Sequence, residues 1–168
     1  MNDKNMEEIF TKHAQTVYKY LYSMTRNEHL SEELTQETFA IAVSSINRFR
    51  GECKISVWLC QIAKYQWYKE LERRKKYKME SIDIYDNSLF TAGFENEIEF
   101  KDVVKILLEE LESLDPATQE VIRLRIFGNM SYKEIGEVLG KTENWARVTF
   151  YRGKLKLKER MEKDEGQS

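Results

Sequence analysis

Apolar positions three and four apart recur along most of this chain, and that period predicts helices. Ile9, Phe10, Val17, Tyr20, Leu21 and Met24, with His13 in register, predict a first helix over 6–26. A turn at Asn27–Leu30 follows. Ser31 then reads as the N-cap of a second helix over 31–46, with Leu34, Phe39, Ile41, Ala42, Val43 and Ile46 as its core. The stretch NRFRGECKI breaks the period at Gly51 and predicts a loop. A long helix over 56–78 carries Val57, Trp58, Leu59, Ile62, Ala63, Tyr65, Trp67, Tyr68 and Leu71. At 3.6 residues per turn, Tyr65, Trp67 and Tyr68 cannot all face one core, so at least one ring is expected at the surface.

Residues 79–100 lose the period and read as a connector with a short apolar element at Ile82–Tyr85 or Leu89–Phe94. A helix resumes over 95–112. Asp115 and Pro116 then form a start signal, a side-chain cap followed by a residue whose missing N–H costs nothing in the first turn. Gly128-Asn129 ends that helix. Ser131 with Glu134 is a capping box for the next one, in which Ile135, Val138 and Leu139 share a face. Gly140 stands where a left-handed stop is needed, and Thr142 can cap a last helix. In that helix Trp145 or Ala146, Val148 or Thr149, and Leu155 mark the expected buried stripe. The expected fold is all-α: two small helical domains, 1–78 and 96–162, joined by a flexible acidic linker at 79–95, with a frayed tail over 163–168.

Two short helices joined by a tight turn follow the helix-turn-helix plan, whose second helix enters the DNA major groove. Between Lys141 and Arg160 there are seven Lys/Arg and two acids, and Arg147, Tyr151, Arg152, Lys154 and Lys158 are spaced along its outer face. The alternative is a solvated basic face on a helical hairpin that never meets DNA.

Composition changes the picture in one respect. The 168 residues carry a formal net charge of −2, an unusual balance for a protein that grips DNA unaided. The charge is uneven. Arg73, Arg74, Lys75, Lys76 and Lys78 form a basic run, and residues 79–100 then hold six acids and no Lys or Arg. Basic residues interleaved with aromatics on the 56–78 helix suit unstacked bases, although a partner-facing apolar patch or aromatic core filling reads at least as well. Glu32, Glu33, Gln36 and Glu37 at the start of the second helix favour its dipole or form an acidic docking face. Cys53 and Cys60 fit neither a redox pair nor a zinc site, and His13 and His29 add no metal spacing. No nucleophile–base pair, metal cluster or phosphate-binding Gly loop is present in the sequence, so neither catalysis nor a cofactor is expected. The polar, acidic N-terminus is no secretory signal, and no apolar run is long enough to span a membrane.

Three stretches occur in one order: LSEELTQETFAIAV, FRGECKISVWLCQIA, and LESLDPATQEVIRLRIFGNMSYKEIGEVLG before the basic helix. Together they resemble bacterial RNA polymerase sigma factors of the extracytoplasmic-function group, over about residues 6–160. The resemblance implies sigma region 2 in the first domain and sigma region 4 in the second. It implies that Glu33, Gln36 and Glu37 dock on the clamp helices of core RNA polymerase. It assigns capture of the opened −10 element to Asn47, Phe49, Arg50, Lys54, Lys64, Tyr65, Arg73 and Arg74, with one base flipped from the stack. It assigns −35 duplex contacts to Lys133, Thr142, Asn144, Arg147, Val148, Tyr151, Arg152 and Lys154. Arg147 and Arg152 could each meet a guanine edge or a phosphate.

Where many members have Asn, this chain has Tyr65, and where many have Arg it has Gln61. A stacking ring at Tyr65 then replaces a hydrogen-bonding side chain. Asn144-Trp145-Ala146 replaces the common Gly-Thr-Val, and Gly153 stands where Ala is common, a mild helix weakener. The implied partners are core RNA polymerase, through its clamp helices and flap, promoter DNA, and an anti-sigma factor, often membrane-bound. The resemblance also implies a cytoplasmic protein that is a monomer when free. The rival reading is a stand-alone helix-turn-helix transcriptional regulator, which should dimerise on a palindromic duplex.

Overall fold

The computed structural model describes residues 3–80 and 98–166. Among these there are seven α-helices, one 3-10 turn and no strand. The chain divides into two compact units, Met1–Ala92 and Gly93–Ser168. The apolar elements expected at Ile82–Tyr85 and Leu89–Phe94 lie outside the described residues.

The first unit packs α1 (Asp3–Thr25), α2 (Glu28–Ser45) and α3 (Ile55–Glu80) against one another. Its core holds Val17, Tyr20, Leu21, Tyr22, Leu34, Phe39, Ala42, Val57, Leu59, Cys60 and Ala63. Asn27, not Ser31, caps α2. Its backbone is extended, and its side-chain oxygen accepts the Leu30 N–H at 2.9 Å. Arg26 makes the reversal before it possible by taking a left-handed φ of 56°. Ser31 is instead buried one turn inside α2, its Oγ 2.6 Å from Thr25 Oγ1 and 2.7 Å from the Asn27 carbonyl it donates to. The hydroxyl that looked like a helix start fastens α1 to α2. Val43, expected in the core, is exposed because it lies about a third of a turn from the middle of the buried arc. The expected loop after α2 opens with a 3-10 turn at Ile46–Arg48.

The second unit contains α4 (Ile98–Leu111), α5 (Pro116–Ile126), α6 (Tyr132–Leu139) and α7 (Glu143–Gly166). All three shorter helices pack on α7. Asp115 caps α5, accepting the Thr118 N–H at 3.1 Å and its hydroxyl at 2.6 Å. Those bonds, from the hydroxyl first and the N–H second, hold the Asp115 carboxyl below the ordinary carboxylate range. Leu108, Leu111, Leu114, Val121, Ile122, Leu124, Met130, Ile135, Ala146 and Leu157 form the core.

The buried stripe of α7 differs from the expected one. Ala146, Gly153 and Leu157 are buried, whereas Leu155 is exposed. Leu155 stands nine residues from Ala146, half a turn round the helix. Gly153 is buried because a Cβ there would stand 2.5 Å from Thr118 Cγ2 and 2.8 Å from Ile122 Cδ1. The residue that weakens the helix in isolation therefore lets α7 approach α5. The tail expected to fray from 163 continues as helix to Gly166. No Pro or Gly lies between Gly153 and Gly166, and Arg160 Nε pairs with Glu110 Oε2 of α4 at 3.0 Å near that end.

Candidate polymerase and nucleic-acid interfaces

On α2, Leu34, Thr35, Thr38, Phe39 and Ala42 turn inward, and Glu33, Gln36, Glu37, Ala40, Val43 and Ser44 turn to solvent. The three residues assigned to polymerase docking thus share one surface. Glu33 carries His29 at 3.2 Å on the same edge. Small and apolar residues one to two turns on leave room for a partner helix to lie across the acids.

The 47–54 loop and α3 form a second surface of the same unit. Asn47, Arg50 and Lys54 are exposed. Phe49 is only half-buried, and its ring packs on Trp58 at 4.9 Å between centroids, so it braces the loop as well as bordering it. Tyr65 is 63% exposed and Tyr68 49%, one turn apart. A lysine approaches each ring: Lys64 Nζ lies 5.7 Å from the Tyr68 centroid and Lys69 Nζ 5.8 Å from that of Tyr65. Trp67 turns partly inward, so the expected division of the three aromatics is present. Ring faces flanked by ammonium groups are what single-stranded bases and their phosphates require. Further along, Arg73 and Arg74 share one carboxylate: Arg73 Nη2 meets Glu70 Oε1 at 2.7 Å and Arg74 Nε meets it at 3.1 Å. The Arg73 hydrogen bond first, and that of Arg74 with it, hold the Glu70 carboxyl below its ordinary range against the opposing effect of burial.

In the second unit the capping box at α6 is complete. Glu134 N donates to Ser131 Oγ at 3.1 Å, and Ser131 N donates to Glu134 Oε1 at 2.8 Å. Gly140 stops the helix at φ 68°. Thr142 then starts α7, its Oγ1 accepting the Trp145 N–H at 3.0 Å. Sequence reasoning missed Gly136. A Cβ at that position would stand 2.8 Å from both the Lys141 and Thr142 carbonyl oxygens. Only glycine admits so close a turn, and its own carbonyl takes the Lys141 N–H at 2.7 Å.

That turn presents the outer face of α7. Asn144, Arg147, Tyr151, Arg152 and Lys154 are exposed, Val148 is partly covered, and Lys133 is exposed on α6. Trp145 turns partly outward with Lys141 Nζ 5.5 Å from its ring, while Ala146 takes the buried place. Arg147 Nη2 pairs with Glu143 Oε1 at 3.1 Å. Metal-binding groups of three or more His, Cys, Asp or Glu are absent among the described residues, and Cys53 and Cys60 are thiols. Nor is any described helix long and apolar enough to cross a membrane.

A basic helix-turn-helix in one unit and a lysine-flanked aromatic helix in the other are the features expected of a two-module nucleic-acid-binding protein. Comparison with known proteins narrows the class. Residues 9–77 match Sigma-70 region 2 and residues 105–157 match Sigma-70, region 4. RNA polymerase sigma factor YlaC of Bacillus subtilis (strain 168) is 30% identical over 161 residues, covering 95% of this chain and 93% of that protein. ECF RNA polymerase sigma factor SigM of the same organism is 27% identical, covering 91% and 93%. In fold, the chain resembles the sigma factor RpoE solved with the anti-sigma factor NepR from Bartonella quintana. The TM-score is 0.74 at 17% identity, over 95% of this chain and 98% of that one. CnrH, solved with the cytosolic domain of CnrY, gives 0.68 at 20% identity, over 97% and 91%. The chain belongs to the sigma-70 family, in its extracytoplasmic-function group, and is an alternative sigma factor for transcription initiation. A match that runs through both units disfavours the stand-alone regulator, which has no use for a region 2.

Proposed function

We propose that this sigma factor divides promoter reading between its two units. Residues 1–78 dock on core RNA polymerase and capture the melted −10 strand, residues 79–95 connect, and residues 96–162 read the −35 duplex. Glu33, Gln36 and Glu37 meet the polymerase clamp helices. Tyr65 and Tyr68 stack on unpaired bases, while Asn47, Arg50, Lys54, Lys64, Arg73 and Arg74 hold the strand's phosphates and edges. Phe49 holds the loop in place through Trp58. Asn144, Arg147, Val148, Tyr151 and Arg152 face the major groove, and Lys133, Thr142 and Lys154 meet the flanking phosphates. The chain acts in the cytoplasm as a non-catalytic factor, a monomer when free, with an anti-sigma factor as its regulator. Polymerase supplies most of the phosphate contacts, so a net charge of −2 is no obstacle.

The observation that carries this reading is the exposure of Tyr65 and Tyr68, one turn apart and flanked by lysines, in a chain that also holds a basic helix-turn-helix. The test is run-off transcription with core polymerase on a pool of bacterial upstream fragments, with core alone as control. Discrete transcripts that depend on the protein are expected, and their start sites reveal both elements. Absence of such transcripts together with failure to comigrate with core would overturn the reading. Glu37→Lys is expected to weaken polymerase binding and leave the fold intact. Unchanged polymerase affinity in that variant removes the docking role.

A further inference from the structure

Tyr132 is absent from every role assigned so far, yet its ring meets three residues of the recognition helix. It occupies the first position of α6, where the Ser131–Glu134 capping box fixes its backbone. Arg147 Cζ of α7 lies 5.3 Å from the centre of its ring, and Arg125 Cζ of α5 lies 4.3 Å from it. The rings of Phe150 and Tyr151 stand 5.7 and 6.4 Å away. Arg125 is itself anchored, donating from Nη1 to the Met130 carbonyl at 2.9 Å. Residues 147, 150 and 151 share one face of α7, and the Tyr132 ring stands at its edge while Arg147 and Tyr151 stay exposed.

We propose that Tyr132 is a positioning residue for −35 readout: its ring face, with Glu143, holds Arg147 in the orientation that meets the DNA. This inference rests on the reading of α7 as the −35 helix. An arginine on an exposed helix is long and rotamer-rich, and fixing it on a base edge loses that freedom on binding. Here Glu143 takes one N–H of Arg147 at 3.1 Å, and the Tyr132 ring takes the guanidinium from the side. Cation–π attraction and the Glu143 bond together bias the Arg147 rotamers before DNA arrives. Arg125, anchored to the Met130 carbonyl, packs against the same ring and keeps it from swinging away. Tyr151 is held by the same ring, so two adjacent residues of the reading face share one support.

The test uses the full chain with core polymerase on a promoter recovered by run-off transcription. Each −35 base pair is replaced in turn, and discrimination is read as the ratio of transcription from the original and the altered template. Because this ratio is taken on one preparation, a reduced folded fraction cancels. Arg147→Ala identifies the base pair that Arg147 reads. Tyr132→Phe keeps the ring and should match wild type. Tyr132→Leu and Tyr132→Met should each lose about two- to fivefold discrimination at that same base pair. The ranking of −10 variants should stay as in wild type. Tyr132→Leu combined with Arg147→Ala should discriminate no worse than Arg147→Ala alone, since the ring then has nothing to position. Full discrimination in both Tyr132→Leu and Tyr132→Met, with loss in Arg147→Ala, overturns the inference and leaves the reading of α7 standing. Losses that add in the double variant also overturn it. If Arg147→Ala discriminates as wild type at every position, the base-reading role falls and the inference falls with it.

Discussion

The candidate nucleic-acid surfaces of the two units are built on different plans. In the second unit the arginine of the reading face is already engaged: Arg147 has Glu143 at 3.1 Å and the Tyr132 ring at 5.3 Å. In the first, the rings of Tyr65 and Tyr68 stand out from α3 with more than half and about half of their surface exposed. The difference matches the two forms of DNA that the proposed division assigns to them. A duplex shows fixed base edges at fixed spacing, so donors held in place read it best. A melted strand shows flat ring faces in no fixed register, and an open aromatic surface accepts them whatever the base. The contrast extends to the turns. The helix-turn-helix is shaped by glycines at 136 and 140, whereas the α1–α2 turn is held by side chains, the Asn27 cap and the Thr25 and Ser31 hydroxyls, around a left-handed Arg26.

The change that breaks this contrast most severely is Gly136→Ala. The new methyl group would collide with two carbonyl oxygens of the turn, backbone atoms that cannot move aside without tilting α7. Overpacking of this kind costs roughly 1–3 kcal/mol, and the upper end is expected here. The second unit should melt earlier in calorimetry, and −35 discrimination should fall with it, while the first unit keeps its stability. Tyr65→Ala should come next, losing about 1–3 kcal/mol of affinity for single-stranded −10 DNA in the presence of core polymerase. Tyr65→Phe should keep that affinity; a loss equal to the alanine variant would mean that the hydroxyl, not the ring, is used.

Arg152→Ala sharpens the other half. If Arg152 reads a base, it should lose about 1–3 kcal/mol at one −35 position only; if it meets a phosphate, affinity should fall for all sequences and the salt dependence should become shallower. Asp115→Ala should cost the second unit about 1 kcal/mol of stability at neutral pH through the lost cap. The Asp115 carboxyl lies below the ordinary range when folded, so its contribution is complete above that range. That contribution disappears as pH falls through the folded value, and the gap between wild type and variant should close there. Arg160→Ala, which removes a surface pair with Glu110, should cost less than about 1 kcal/mol.

Much of this architecture is legible in the sequence because its signals are local. The Ser131–Glu134 box, Asp115-Pro116 and the left-handed Gly140 each lie within one turn of the boundary they mark. The structure departs from these signals where a competing group nearby or a neighbour on another helix decides. Ser31 has the right chemistry for a cap, but Asn27 precedes it by one turn, and Ser31 is drawn inside by Thr25. Leu155 is as apolar as Leu157, and only the angle fixed by α5 and α4 against α7 decides which is buried. Gly153 reads as a defect until Thr118 is seen against it. On the candidate interfaces, the exposed face of α2 and the outer face of α7 follow from helical spacing. The Tyr132 contacts with Arg125 and Arg147 bring together three helices, and no spacing within one of them could announce that.

Permanganate footprinting of the polymerase complex on a recovered promoter tests the division between the two units most directly. With wild type, reactive thymines should appear in the −10 element while the −35 element stays duplex and protected from nuclease. With Tyr65→Ala and Tyr68→Ala together, the −10 reactivity should be lost or strongly reduced while the −35 protection persists. Undiminished −10 reactivity in that double variant would contradict the assignment of strand capture to the exposed rings of α3.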